Sequence, residues 1–239
     1  MALLILITLI FLPQIHCLTN KEATEYLHHY KHIKSANPSP SEFTEGMKDF
    51  QNYAQIPVTG VLDADTKEMM KAGRCFNPNP EDADSENRVR RYELYKYLWN
   101  RKKLTYNMKY PTNVTSSIID DGLKRAFEMW SRHSGIQFVK SDRMTSHLKM
   151  DFNYIDEMST LGYAYYPPVG KIVFTSRRLW SNNNLPGHSN FYQVALHEIG
   201  HALGLRHSDT KAAIMFPILH KYYPELHSDD ITGIKALYQ

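Results

Sequence analysis

Residues 197–207 read HEIGHALGLRH, and no other stretch of the chain restricts its fold so tightly. His197 and His201 are four positions apart, so on a helix both rings project from one face, one turn apart. Two imidazoles so placed share a tetrahedral zinc ion. Glu198 lies one step round the helix, from where its carboxylate reaches a water on that metal. Gly204 follows one turn later; glycine takes the left-handed backbone geometry that ends a helix sharply. The chain then turns back and brings His207 to the same ion. Three neutral histidines leave the fourth corner to water, which is the layout of a catalytic zinc and not of a closed structural one. A chance match to three histidines, a glutamate and a glycine at these spacings is on the order of one in ten thousand for a chain this long. The candidate site is thus His197, His201 and His207 as metal ligands and Glu198 as the catalytic residue. His188, His220 and His227 read as loop or surface histidines.

The rest of the chain must supply a scaffold for that helix. Residues 1–17 hold an uncharged apolar run from Ala2 to Leu12, broken only by Thr8. It is too short to span a bilayer and has the length of a signal-peptide core, which predicts a secreted, extracellular protein without a membrane span. Residues 18–91 form a first domain. Ala23, Tyr26, Leu27, Tyr30 and Ile33 make one helical stripe. Phe43, Met47, Phe50 and Tyr53 make a second, behind Ser41. Asp63 is placed to cap a third helix. Residues 76–91 then turn acidic, proline-bearing and almost free of apolar side chains, the composition of a linker. The linker ends in a basic cluster, Arg88, Arg90 and Arg91, of the kind that proprotein convertases cut. From residue 92 to 239 the pattern mixes strand alternation with a helix that carries Ile119, Leu123, Phe127 and Trp130, stops at Gly135, and precedes a last helix capped by Ser228. Asn113 heads a glycosylation sequon. A formal charge of +3 is too weak to argue for nucleic acid. Removal of residues 1–17 leaves Cys75 as the single cysteine, a partner for another chain or a reactive thiol.

The motifs PVTGVLDADT, GRC, WNRKKLTYNMKYP, AFEMWS, HEIGHALGLRHS, AIMFP and LHSDDITGIKALY together make the chain resemble the matrix metalloproteinases, or matrixins, of the metzincin group, in a minimal matrilysin-like layout without a hemopexin domain. The resemblance implies an α+β fold: a three-helix prodomain, then a catalytic domain with a five-stranded twisted mixed sheet and three helices. It implies a zinc endopeptidase made as a latent zymogen, in which Cys75 ligates the zinc until the prodomain is removed, and a methionine turn at Met215 beneath the ligands. Arg74, Cys75 and Pro78 match the family's cysteine-switch motif; Gly73, Phe76 and Asn79 depart from it. By the same resemblance Ala164 offers a carbonyl to the substrate, Gln193 lies at the base of the S1′ pocket, Pro217 begins its outer wall, and the new amine of Tyr92 pairs with Asp229.

One departure from the family is larger. Matrixins hold a structural zinc and calcium ions in a histidine- and aspartate-rich loop. Here Tyr163, Val173 and Thr175 stand at the matching ligand positions, and Arg177 and Arg178 replace acidic residues. The expectation is therefore one catalytic zinc, no structural zinc, and little or no calcium. The expected partners are extracellular protein substrates, a proprotein convertase and a tissue-inhibitor-type protein. Two other readings stay open on the sequence: a zinc-binding, catalytically weak secreted inhibitor or decoy, and a cell-wall protein whose first domain is a peptidoglycan-binding module.

Overall fold

The first apolar stripe becomes the inner face of α1 (Asn20–His29), where Ala23, Tyr26 and Leu27 are buried and Thr19 closes a capping box with Glu22. The second becomes α2 (Pro40–Tyr53). Its N-cap is Ser39, not the neighbourhood of Ser41, because Pro40 occupies the first helical position, where a missing N–H costs nothing. Asp63 caps α3 (Ala64–Lys71) as the sequence predicts, accepting from the Thr66 N–H. The three helices share a core of Tyr26, Leu27, Tyr30, Met47, Phe50 and Met69, with Phe216 and Ile218 from the C-terminal part of the chain packed into it. Gln51 fixes the crossing of α2 with the loop before α3. Its amide donates to the Thr59 and Thr66 hydroxyls and the Val61 carbonyl, and accepts from the Thr59 and Gly60 N–H groups.

These relations come from a computed structural model that describes residues 18–76, 98–143, 145–156 and 159–239. The apolar leader (1–17), Arg88, Arg90, Arg91 and Tyr92 lie outside the described residues, so the expectations placed on them are carried forward untested.

After α3 the chain forms β1 (Gly73–Cys75), β2 (Lys103–Met108), α4 (Ser116–Ser134), β3 (Gln137–Lys140), β4 (Leu148–Asn153), β5 (Thr160–Ala164), β6 (Lys171–Thr175), a short pair β7 (Trp180–Ser181) and β8 (Ser189–Asn190), α5 (Phe191–Ala202), β9 (Ile218–Leu219) and α6 (Ser228–Tyr238). Among the described residues the main sheet runs β3-β2-β4-β6-β5-β1-β9. Six of these strands come from the C-terminal part; within its run β2 to β6, β5 alone lies antiparallel to its neighbour β6. The mixed sheet with helices packed on it is the α+β arrangement expected from the sequence. Two further strands extend that run. β1 pairs parallel with β5, and β9 pairs antiparallel with β1. A segment of the N-terminal domain is thus inserted between the edge strand and the 217–219 segment of the C-terminal one. The parallel centre is buried, as the run Ile172, Val173 and Phe174 requires. α4 lies along α5, and both bury their apolar residues in the larger core. The last helix starts at Ser228, but its cap is His227, whose Nδ1 accepts from the Asp229 N–H; Ser228 is the first helical residue.

Candidate metal centre

Helix α5 is buried along its whole length, so its polar residues are there by arrangement. Asn190 caps its start through the Gln193 N–H. Three aromatic donors take up carbonyls in its last turns: Trp130 Nε1 on Leu196 (2.8 Å), Trp99 Nε1 on Ala202 (2.7 Å) and the Tyr238 hydroxyl on Leu203 (2.7 Å). Those on Ala202 and Leu203 satisfy acceptors at the helix end that would otherwise be left bare, and all three tie α5 to the elements around it. Gly204, at φ 104°, turns the chain back, as the sequence requires.

The turn brings the three predicted ligands together. His197 and His201 are fully buried, and each points Nδ1 at a backbone carbonyl, Ile214 and Leu205 respectively, both at 2.7 Å. An Nδ1–H donated to a carbonyl leaves the Nε2 lone pair as the ligand atom. The two Nε2 atoms face each other at 3.1 Å. Two nitrogens on one tetrahedral zinc are about 3.3 Å apart, given ~2.05 Å zinc–nitrogen bonds. Both ring nitrogens of His207 are buried without a hydrogen-bond partner. A buried polar atom left so is explained by a missing ligand. The fourth member is the Cys75 sulfur: one ligand atom from each of Cys75, His197, His201 and His207 lies within 4.8 Å of the others. This donor set, three imidazoles and a thiol, fits zinc. Burial pushes the His197 imidazole down to about 4, and the same cause, with its neighbouring rings, holds His201 and His207 well below the usual histidine range. All three are neutral at physiological pH and ready to ligate.

Glu198 is 1% exposed, on the flank of the cluster. Burial pushes its carboxyl up to about 8, against the lowering effect of the Cys75 thiol, which donates to Oε2 at 3.5 Å. Met215 lies under the helix. A Cβ on Gly200 would come within 2.4 Å of the Met215 sulfur, so a glycine there is what permits the approach. Pro217 offers its carbonyl to the Cys75 N–H at 3.1 Å, and the Gly162 carbonyl in β5 takes the Phe76 N–H at 3.0 Å. The groove between β5 and the 217–219 segment is therefore filled by β1. Ala164 is buried two residues along the same edge strand and pairs with Ile172. The Gln193 amide, one turn before His197, donates to the Lys221 carbonyl at 2.8 Å and so ties the segment after β9 to α5. Asn113 is exposed before α4, its amide on the Ser176 carbonyl, away from the cluster. Asp229, assigned to Tyr92 by resemblance, accepts from the Ser208 hydroxyl at 2.6 Å.

Val173 and Thr175 are buried in β6. The Arg177 guanidinium donates to the Ile155 and Asp156 carbonyls, approaches the Asp156 carboxylate at 3.8 Å and lies 5.0 Å from the Tyr154 ring centre. A side-chain cation stands among the loop oxygens.

One supporting residue escaped the sequence reading. Asp230 is 2% exposed, and its carboxylate accepts the N–H groups of Ile214 (2.8 Å), Met215 (3.0 Å) and His227 (2.8 Å). It fixes the turn that carries both Met215 and the Ile214 carbonyl on which His197 rests. The signal was present, an aspartate at the third position of a helix, but that position is filled by aspartate in many helices for capping alone. Asp230→Asn swaps an acceptor oxygen for an amide that faces backbone donors. The expected result is a loss of about 1–3 kcal/mol in chemical unfolding of the full chain, with weaker zinc binding. Unchanged unfolding and zinc affinity would remove Asp230 from the site's support.

Comparison with known proteins agrees with the geometry. The family model described as Matrixin matches residues 98–239. The hatching enzyme of Paracentrotus lividus is 32% identical over 210 residues, 82% of this chain and 34% of that protein. Matrix metalloproteinase-19 of Homo sapiens is 30% identical over 236 residues, 90% of this chain and 44% of its own length. Interstitial collagenase of Equus caballus is 30% identical over 254 residues, 95% of this chain and 51% of its own. The chain thus spans about a third to a half of the curated relatives it matches.

Proposed function

The chain belongs to the matrixin family, and on that premise we propose that it is a zinc endopeptidase, secreted as a latent precursor, that hydrolyses peptide bonds of extracellular proteins. The observation that carries this reading is the buried cluster itself: three neutral imidazoles with oriented Nε2 atoms, and a glutamate beside them. Zinc, when held by His197, His201 and His207, supplies Lewis-acid activation of water and of the scissile carbonyl. The chain's own residues do the rest. An extended substrate takes the backbone positions that β1 now uses, on the Gly162 side of β5 and on Pro217, by strand addition. Ala164 continues that edge, and Gln193 bounds the pocket behind the helix. Glu198, buried beside the cluster, takes a proton from the attacking water and hands it to the departing amine.

In the precursor the Cys75 sulfur lies among the three histidine donors, where with zinc bound it would serve as fourth ligand and keep water from the metal. Release follows a cut after Arg91 by a convertase. A leader at 1–17, a sugar on Asn113 and control by a tissue-inhibitor-type protein complete the reading. Among the described residues no helix is long and apolar enough to cross a membrane.

The test is a chelation cycle. The mature protein, freed of its prodomain, is expected to cleave casein, to stop when a strong chelator removes the metal, and to recover on addition of zinc. Cleavage that persists without metal, or none with it, overturns the assignment. Metal analysis of the same sample is expected to give one zinc per chain and no firmly bound calcium, because Arg177 already neutralises the loop oxygens. Two zincs per chain would contradict this.

A further inference from the structure

Arg74 is 2% exposed, one of the largest fully buried side chains of the molecule. No carboxylate pairs with it among the described residues, and its Nε atom has no hydrogen-bond partner. A buried cation is costly unless something replaces its hydration. Here three tyrosines do. The guanidinium carbon lies 3.7 Å from the centre of the Tyr30 ring, 5.2 Å from Tyr53 and 5.8 Å from Tyr26. Its terminal nitrogens reach the Tyr26 hydroxyl at 3.3 Å and the Tyr53 hydroxyl at 3.4 Å. Tyr26 comes from α1, Tyr53 ends α2, and Tyr30 closes α1 as its C-cap. The Tyr30 hydroxyl crosses the groove to the Ser159 and Thr160 hydroxyls, both at 2.9 Å. One guanidinium thus joins both long prodomain helices to the strand that carries Cys75, and through Tyr30 to the edge strand β5. The Arg74 backbone N–H makes the same crossing, on the Ser159 carbonyl at 2.8 Å.

We propose that this tyrosine cage around Arg74 is the lock that holds β1 in the substrate groove, an aromatic latch that couples the fold of the prodomain to the position of Cys75. The proposal rests on the reading of β1 as an inhibitory strand. A flat, weakly hydrated guanidinium suits a box of ring faces; a lysine ammonium at the same place keeps the charge but loses the stacking and the fork of donors. The cage also explains how a strand of three residues, with few backbone bonds of its own, stays seated. Cys75 follows Arg74 directly, so a loosened guanidinium lets the thiol leave the cluster.

The test uses the full-length, zinc-loaded precursor and no catalytic assay, so that it reads the latch whether or not the chain is a peptidase. Backbone hydrogen exchange is followed separately for residues 73–76 and for α2, together with the rate at which maleimide labels Cys75. Arg74→Lys and Tyr30→Leu are expected to speed exchange of the β1 amides and labelling of Cys75 by about tenfold or more, with α2 exchange unchanged. Tyr30→Phe keeps the ring and loses only the hydroxyl bonds to Ser159 and Thr160, so it is expected to fall between these variants and the native chain. Arg74→Met is the decisive arm. It fills similar space without charge or donors, and removing a buried charge is often tolerated. If the Arg74→Met strand exchanges as slowly as the native one, the guanidinium is mere filling and the proposal fails. It fails equally if β1 loosens only when α2 does, which is general unfolding.

Discussion

Replacing Glu198 with alanine is expected to leave the zinc content of the mature chain unchanged and to lower peptide hydrolysis by about three orders of magnitude. The metal stays because Glu198 is not one of the clustered ligand atoms, and because the three imidazoles are oriented independently of it: His197 on Ile214, His201 on Leu205, His207 by the turn after Gly204. The loss follows from proton bookkeeping. Water must give up a proton as it attacks, and the amine must gain one as it leaves. Of the groups flanking the cluster, Glu198 is the buried carboxylate, and both transfers are assigned to it under the proposed function. Glu198→Gln is the sharper companion, since it keeps shape and hydrogen bonding but accepts no proton. Both variants are expected to fold. The alanine leaves a small void beside β5, where a Cβ on Gly162 would already come within 3.4 Å of the glutamate side chain. Turnover retained in both would remove Glu198 from the reaction.

Cys75→Ser is expected to give a precursor that cleaves substrate without being cut, at about ten times or more the rate of the native precursor. A serine hydroxyl is a far poorer zinc ligand than a thiolate, so the fourth corner opens to water. The release is incomplete. The Cys75 N–H on Pro217, the Phe76 N–H on Gly162 and the Arg74 cage do not depend on the sulfur and still place β1 in the groove. Activity between that of the native precursor and that of the mature enzyme is the expected signature of two separate restraints. Full latency of the serine variant would mean that the strand alone silences the enzyme and that the thiol is not the switch.

The parts of this molecule that were legible in its sequence are those in which side chains repeat at a fixed period or sit at ligand spacing. Ala23, Tyr26 and Leu27 foretold α1; Ile119, Leu123, Phe127 and Trp130 foretold α4; the histidines, glutamate and glycine of 197–207 came together as their spacing implied. Helix ends were read less well. Ser39 and His227 cap where Ser41 and Ser228 were favoured, because several polar residues in a row all suit a cap and packing chooses among them. Strands of two or three residues, β1 and β9, have no period to read. The buried polar residues were invisible for a different reason. Gln51, Asp230 and Arg74 act through groups on other segments, and what the neighbouring residues show of them, a capping position for Asp230 at most, does not reveal that role. The family resemblance located Arg74 in a motif, but the tyrosine faces around it belong to helices far up the chain.

The central claim is that one zinc is held by three imidazoles and, in the precursor, by the Cys75 sulfur. X-ray absorption at the zinc edge of the full-length precursor measures this directly. The expected spectrum fits three nitrogen neighbours at about 2.0–2.1 Å and one sulfur at about 2.3 Å, with the sulfur replaced by a light atom once the prodomain is removed. A zinc with fewer than three nitrogen neighbours in either form would contradict the account.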